Sequence, residues 1–261
     1  MTTIYQLNDL KVGVIKNRIT QLCKTPYVAD AVINGETVMV HTPALGCGGL
    51  CEPSCVILAS PIEKKHAICS YTAELCVVYE PTDDKCIIIG TNPNLGKIII
   101  DECFKKNRLP FLRTKEYGKR TIIEYIRSKK SEKEYMMFEY SGIDADDKPF
   151  VMEIQTVPCS NGNISHFPND FAKKGNDKRS LKQLKQIQEL TTFKLRSFYR
   201  RIMCYVIQRS DTEYFEPNIH NKDYYDAFYE AKRGGVEIYA IQINWNEMGE
   251  AILADNVIPI L

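Results

Sequence analysis

The chain changes texture near residue 90, and that change limits the folds open to it. Between 25 and 90 come five short apolar runs: Tyr27–Ile33, Thr37–His41, Val56–Ala59, Ala73–Tyr79 and Lys85–Ile89. Asn34-Gly35 separates the first two, a two-residue hairpin signal, and Pro, Gly or Asp falls between the others. Five short strands at this spacing suit a small barrel. Beyond 94 the period lengthens. Ile98, Ile99, Glu102 and Lys106 recur at about one turn, which predicts a helix over 98–106. Strands are expected near Tyr135–Tyr140 and over Phe150–Val157, then a helix from Asp177, a plausible N-cap, to Leu190. Met203–Gln208 reads as a strand, Lys222–Lys232 as a helix ended by Gly234-Gly235, and Val236–Ile243 as the last long strand. Residues 109–130 are basic and ambiguous. The expected organisation is a β-barrel over 1–90 and a mixed α/β domain over 91–261.

Composition sets outer limits. At 261 residues and 44% hydrophobic, the chain can bury a core without staples. No apolar run approaches the roughly 18 residues needed to cross a bilayer, so no membrane partner is expected. Residues 1–20 carry no apolar stretch after a basic start. The ten cysteines sit mostly beside apolar residues, as in Ala67-Ile68-Cys69-Ser70, which fits free thiols in a reducing, intracellular compartment.

Net charge is only +1, but its distribution is uneven. Residues 171–201 hold ten Lys/Arg against Asp177 and Glu189, a local net of +8, and residues 202–261 carry a local net of −6. Separated charge of this kind favours a polyanion on one face. Lys173, Lys174, Lys178, Arg179, Lys182 and Lys185 are the residues expected to meet nucleic acid, with an ordinary solvated helix face as the competing reading.

Several motifs carry a resemblance. His41-Thr42-Pro43, Gly46, Gly49-Leu50 and Glu52-Pro53 resemble the "vHxPntG…gLlepG" stretch of the sugar fermentation stimulation protein A family. Glu153-Ile154-Gln155-Thr156-Val157 resembles its "EvKsVtL", and Phe167-Pro168-Asn169 through Gly175 its "FPDAvTeRG". Ile207-Gln208-Arg209-Ser210-Asp211 resembles "vQRsD", and Gly235-Val236-Glu237-Ile238 resembles "GVeV". The matches run in family order from about 28 to 243. The resemblance implies an OB-like barrel followed by a restriction-endonuclease-like domain of the PD-(D/E)xK type, and a link to DNA.

In such a site two carboxylates hold Mg²⁺, which neutralises phosphate and activates water, while a lysine supports the developing charge. Glu153 and Gln155 share a strand face because side chains alternate with period two. Glu139 is the candidate partner acid, so Glu139 and Glu153 are the expected metal ligands; a second alignment puts Met136 there instead. Gln155 stands where the family has lysine, and glutamine brings no positive charge. Asn169 replaces the aspartate of "FPD", and Ser180 replaces a histidine. Arg209, beside Gln208, reads either as part of the nucleic-acid surface or as a structural partner at a strand end.

Three functions stay open: nucleic-acid binding, DNA before RNA, with a degenerate metal site; an Mg²⁺-dependent nuclease; and a non-catalytic scaffold. Cys47-x3-Cys51-x3-Cys55 with His41 upstream invites zinc, but no second ligand pair follows. Tyr224, Tyr225, Phe228 and Tyr229 read as helix packing before a base-stacking platform.

Overall fold

Small residues decide how tightly the N-terminal strands can close. A computed structural model describes residues 2–18, 20, 22–43, 49–80, 84–126, 133–169, 178–193 and 198–261. In chain order its elements are β1 (Thr3–Gln6), β2 (Lys11–Arg18), β3 (Val28–Ile33), β4 (Glu36–His41), β5 (Val56–Pro61), β6 (Tyr71–Glu80), β7 (Lys85–Gly90) and α1 (Asn94–Lys105). There follow β8 (Thr114–Ile126), β9 (Lys133–Asp144), β10 (Pro149–Val157), β11 (Ser160–Asn161), β12 (Ile164–Phe167) and α2 (Lys178–Thr192). The last are β13 (Arg200–Ile207), β14 (Tyr214–Pro217), α3 (Lys222–Arg233), β15 (Glu237–Trp245) and β16 (Glu250–Val257).

Strand β2 pairs with β3 and β5, β3 with β4, and β5 with β6. A short parallel contact, Val40↔Tyr71 and His41↔Thr72, joins β4 to β6 and closes the ring. The circuit β2-β3-β4-β6-β5 is the connectivity of an OB-like barrel. Its interior holds Ile15, Ile33, Val40 and Ile57 beside Ala29, Ala31, Ala59 and Ala73. Alanines recur because a five-stranded lumen has no room for four more large side chains.

The other sheet has seven strands in the order β1-β16-β15-β13-β10-β9-β8. Strands β10, β13 and β15 are parallel, and the flanking pairs are antiparallel. Helix α1 covers one face through Leu95, Ile99 and Ile100, packed with Phe150, Met152 and Ile154. Helices α2 and α3 cover the other, where Ile187, Leu190, Tyr224 and Phe228 meet Val151, Met203 and Tyr205. Tyr224 and Phe228 are therefore packing residues.

Two expectations need correction, and one open stretch resolves. β1 does not belong to the barrel: Thr3 to Gln6 pair with β16, so the barrel strands begin at Lys11. The ambiguous basic stretch is the long edge strand β8, polar because much of it is exposed. Helix α1 begins at Asn94, four residues early, with Pro93 as its cap residue. Among the described residues no helix is long and apolar enough to cross a membrane.

The approach of α1 to the sheet depends on Gly96. A Cβ there would lie 2.2 Å from Thr156 Oγ1 and 3.2 Å from Thr156 Cβ. Thr156 in turn donates to Pro93 O at 2.7 Å. Alanine gains about 1 kcal/mol of helix propensity, but overpacking costs about 1–3 kcal/mol. Gly96→Ala should therefore lower stability in chemical denaturation, and the same change in a Thr156→Ala background should be neutral or stabilising. A higher midpoint for Gly96→Ala alone would refute this account of the packing.

Candidate functional site

The β9–β10 ladder ends at Tyr140↔Met152, so Glu139 and Glu153 are the next residues in register. The strands no longer exchange backbone bonds there. The Glu139 amide donates to the side chain of Glu153 instead, 3.1 Å from its Oε1. Strand β9 also changes face at this point. Phe138 packs in the core under α2, while Tyr140 packs in the core under α1. Opposite Glu139 in the β8 register is Arg120, whose φ is +49°. The kink is what brings Glu139 to Glu153. Met136, the alternative first acid position, is buried in the core instead.

Helix α2 supplies a residue that the sequence reading missed. Gln186 Nε2 donates to Glu153 Oε2 in a short hydrogen bond, and Gln186 Oε1 accepts from Gln155 Nε2 at 2.9 Å. Glu153 and Gln155 thus share a face, as expected, with Gln186 bridging them. The first turn of α1 supplies another. Lys97 Nζ lies 2.7 Å from Glu139 Oε1. Glu153 is buried, 2% exposed. Burial first, then the charge of Glu139, raises its carboxyl to about 7 against the pull of the Glu139 amide and Gln186.

As arranged, these residues do not fit the divalent ion that the resemblance implies. Mg²⁺ takes a shell of oxygen ligands. Here both oxygens of Glu153 accept from N–H donors, and an ammonium already stands on Glu139. Among the described residues no group of three His, Cys, Asp or Glu could hold a metal ion. Of the cysteines in the discounted zinc pattern, Cys51 and Cys55 lie beside Cys76, and Cys47 is outside the described residues.

The basic stretch divides. Lys173 and Lys174 fall outside the described residues; Lys178 and Arg179 open α2, with their side chains outside the description. Lys182 and Lys185 are exposed on α2, Lys185 Nζ 3.4 Å from Glu189. Arg200 and Arg201 point inward. Arg201 donates to Leu190 O, Thr191 O and Gly234 O, so it caps the C-terminal ends of α2 and α3. Of the two readings of Arg209, the contacts favour the structural partner at a strand end. Its guanidinium pairs with both oxygens of Asp211 at 2.7 and 2.6 Å and with Pro158 O at 3.2 Å, and it is largely buried. Its neighbour Gln208 is a junction. Its carbonyl accepts from Gly90 N and its side chain from Trp245 Nε1, each at 2.9 Å, which ties the end of β7 to the sheet.

An OB-like barrel beside a seven-stranded mixed sheet, with helices on both of its faces and neighbouring acids on β9 and β10, defines a two-part α/β fold. A family profile described as "Sugar fermentation stimulation protein RE domain" matches residues 99–249. The chain belongs to the sugar fermentation stimulation protein family. It is 24% identical over 238 residues to a sugar fermentation stimulation protein homolog of Crocosphaera subtropica, covering 90% of this chain and 89% of that one. A Nitrosococcus oceani homolog is 24% identical over 242 residues, covering 89% and 90%. The fold is similar to that of Pyrococcus furiosus SfsA, solved in complex with Ca²⁺: TM-score 0.72, 13% identity, with 100% of both chains covered.

Proposed function

We propose that this chain binds nucleic acid, DNA first, through its OB-like and nuclease-like parts, and that its acid site does not cleave. The observation that carries the reading is that both oxygens of Glu153 and one oxygen of Glu139 accept from N–H donors, while the same helix that delivers Gln186 presents Lys182 and Lys185 to solvent. An acid pair closed in this way supports architecture, and an exposed lysine face suits phosphates. Family membership is consistent with both.

Fluorescence anisotropy with duplex DNA across a salt series tests it. Binding should weaken with salt, each phosphate contact adding a slope of about 0.9. Reversing Lys178, Lys182 and Lys185 to Glu should flatten the slope by about two to three units. Salt-independent or absent binding would leave the scaffold reading in its place. Plasmid should stay intact in Mg²⁺ or Mn²⁺. A metal-dependent nuclease is the second reading, favoured by the adjacency of the two acids and by the Ca²⁺ complex of the Pyrococcus protein. Nicking that Glu153→Ala abolishes would establish it.

A further inference from the structure

We infer that Lys97 is the resident cation of the Glu139–Glu153 site, an ammonium standing where a nuclease-like fold would carry a divalent ion. The inference rests on the nuclease-like reading of that site and adds the group that fills it. The Lys97 side chain is part-exposed, at 37%, but its backbone is held from behind. Lys97 follows Gly96, whose missing side chain lets α1 sit against Thr156, and Thr156 holds Pro93 O at the head of the same helix. Behind it, Tyr140 Oη donates to Lys97 O at 3.3 Å and to Asp101 Oδ1 at 2.8 Å. The backbone carrying Lys97 is thus tied to β9 and β10 together, the two strands that carry the acids.

The local charge balance agrees. Lys119 is paired with Asp101 at 2.5 Å and Lys185 lies near Glu189 at 3.4 Å, which leaves Lys97 as the ammonium on Glu139. Lys97 balances one carboxylate. Both oxygens of the second accept from N–H donors, the Glu139 amide and Gln186 Nε2. A divalent cation would have to displace these partners, and no described third acid could complete its shell. Helix α1 also has no acidic residue in its first turn, so its positive end adds to the ammonium.

Isothermal titration calorimetry with Mn²⁺, and separately with Ca²⁺, reads this directly at pH 7.5. The parent chain should show no binding tighter than about millimolar. Lys97→Met frees Glu139 and should tighten Mn²⁺ binding at least about tenfold. Adding Glu153→Gln to that variant should abolish the gain. If Lys97→Met does not fold, Lys97→Gln removes the charge while keeping a donor for Glu139. Micromolar binding by the parent, or no gain in the charge-removing variant, overturns the inference. Salt-dependent DNA binding by the parent is measured independently of either result, so failure here and failure of the nucleic-acid reading are told apart.

Discussion

Arg200→Ala should lower the unfolding free energy by about 3 kcal/mol, the scale for breaking one side of a buried ion cluster. Arg200 donates to Glu237 at 2.9 and 2.6 Å, to Asp144 at 3.1 Å and to Phe111 O at 3.3 Å. It ties the starts of β13 and β15 to the turn after β9 and to the loop after α1. Asp144 is 3% exposed, so losing the guanidinium strands a carboxylate away from water. Burial alone would raise Asp144, but the Lys148 and Asp146 amides and Arg200 hold it below the usual carboxylate range. Burial would likewise raise Glu237, yet Arg200 and the Tyr239 hydroxyl hold it low. Lowered carboxyls stabilise above their unfolded values and lose that contribution as pH falls through the lowered ones. The parent should therefore weaken on the acid side of about pH 4, and Arg200→Ala should flatten that fall. Adding Asp144→Asn to Arg200→Ala should recover part of the loss. A deficit under about 1 kcal/mol would mean that the cluster is screened like a surface pair.

Glu153→Gln should make the protein more stable at neutral and higher pH. The carboxyl titrates near 7 in the folded chain against 4.5 for the unperturbed group. Between those values the native state holds a proton that the unfolded state releases, so stability falls as pH rises from about 4.5 to 7 and then levels. The whole span is on the order of 3 kcal/mol. Glutamine stays neutral, keeps an acceptor for the Glu139 amide, and can donate to Gln186 Oε1 once the Gln186 and Gln155 amides both turn over. Urea denaturation at pH 4.5, 6 and 8 should show a gap between variant and parent that grows with pH. A gap of constant size would show that Glu153 is not buried as an uncompensated acid.

What could be read in advance follows from how each residue meets water. Phe150–Val157 was legible because Phe150, Val151, Met152, Ile154 and Val157 are apolar and β-prone around the Glu153-Ile154-Gln155 motif, and Ala29 to Ile33 because barrel strands alternate. Strand β8 was not, since an exposed edge strand needs no apolar face; the last three residues of β16, Asp255, Asn256 and Val257, are all exposed and left little pattern to read. The neighbouring acids were found from residue type and period. Lys97 and Gln186 were not, because their role comes from helices packing across the sheet, and a lone Lys or Gln in a helix carries no local sign of it. Arg209 was left between two readings although Asp211, two residues away, is a partner close enough to hold it.

The pairing of β1 with β16 gives the molecule an order of assembly. The barrel between β2 and β7 sits as an insertion inside the α/β part, whose first strand leaves the ribosome long before its neighbour exists. Residues 3–6 must wait, unpaired, for residues 250–252. The barrel can close in the meantime, while the seven-stranded sheet is completed only when the far end of the chain arrives. Cutting the chain near 90 would therefore not release two finished pieces: the C-terminal fragment would display the bare edge of β16, an open site for strand addition from any neighbouring chain.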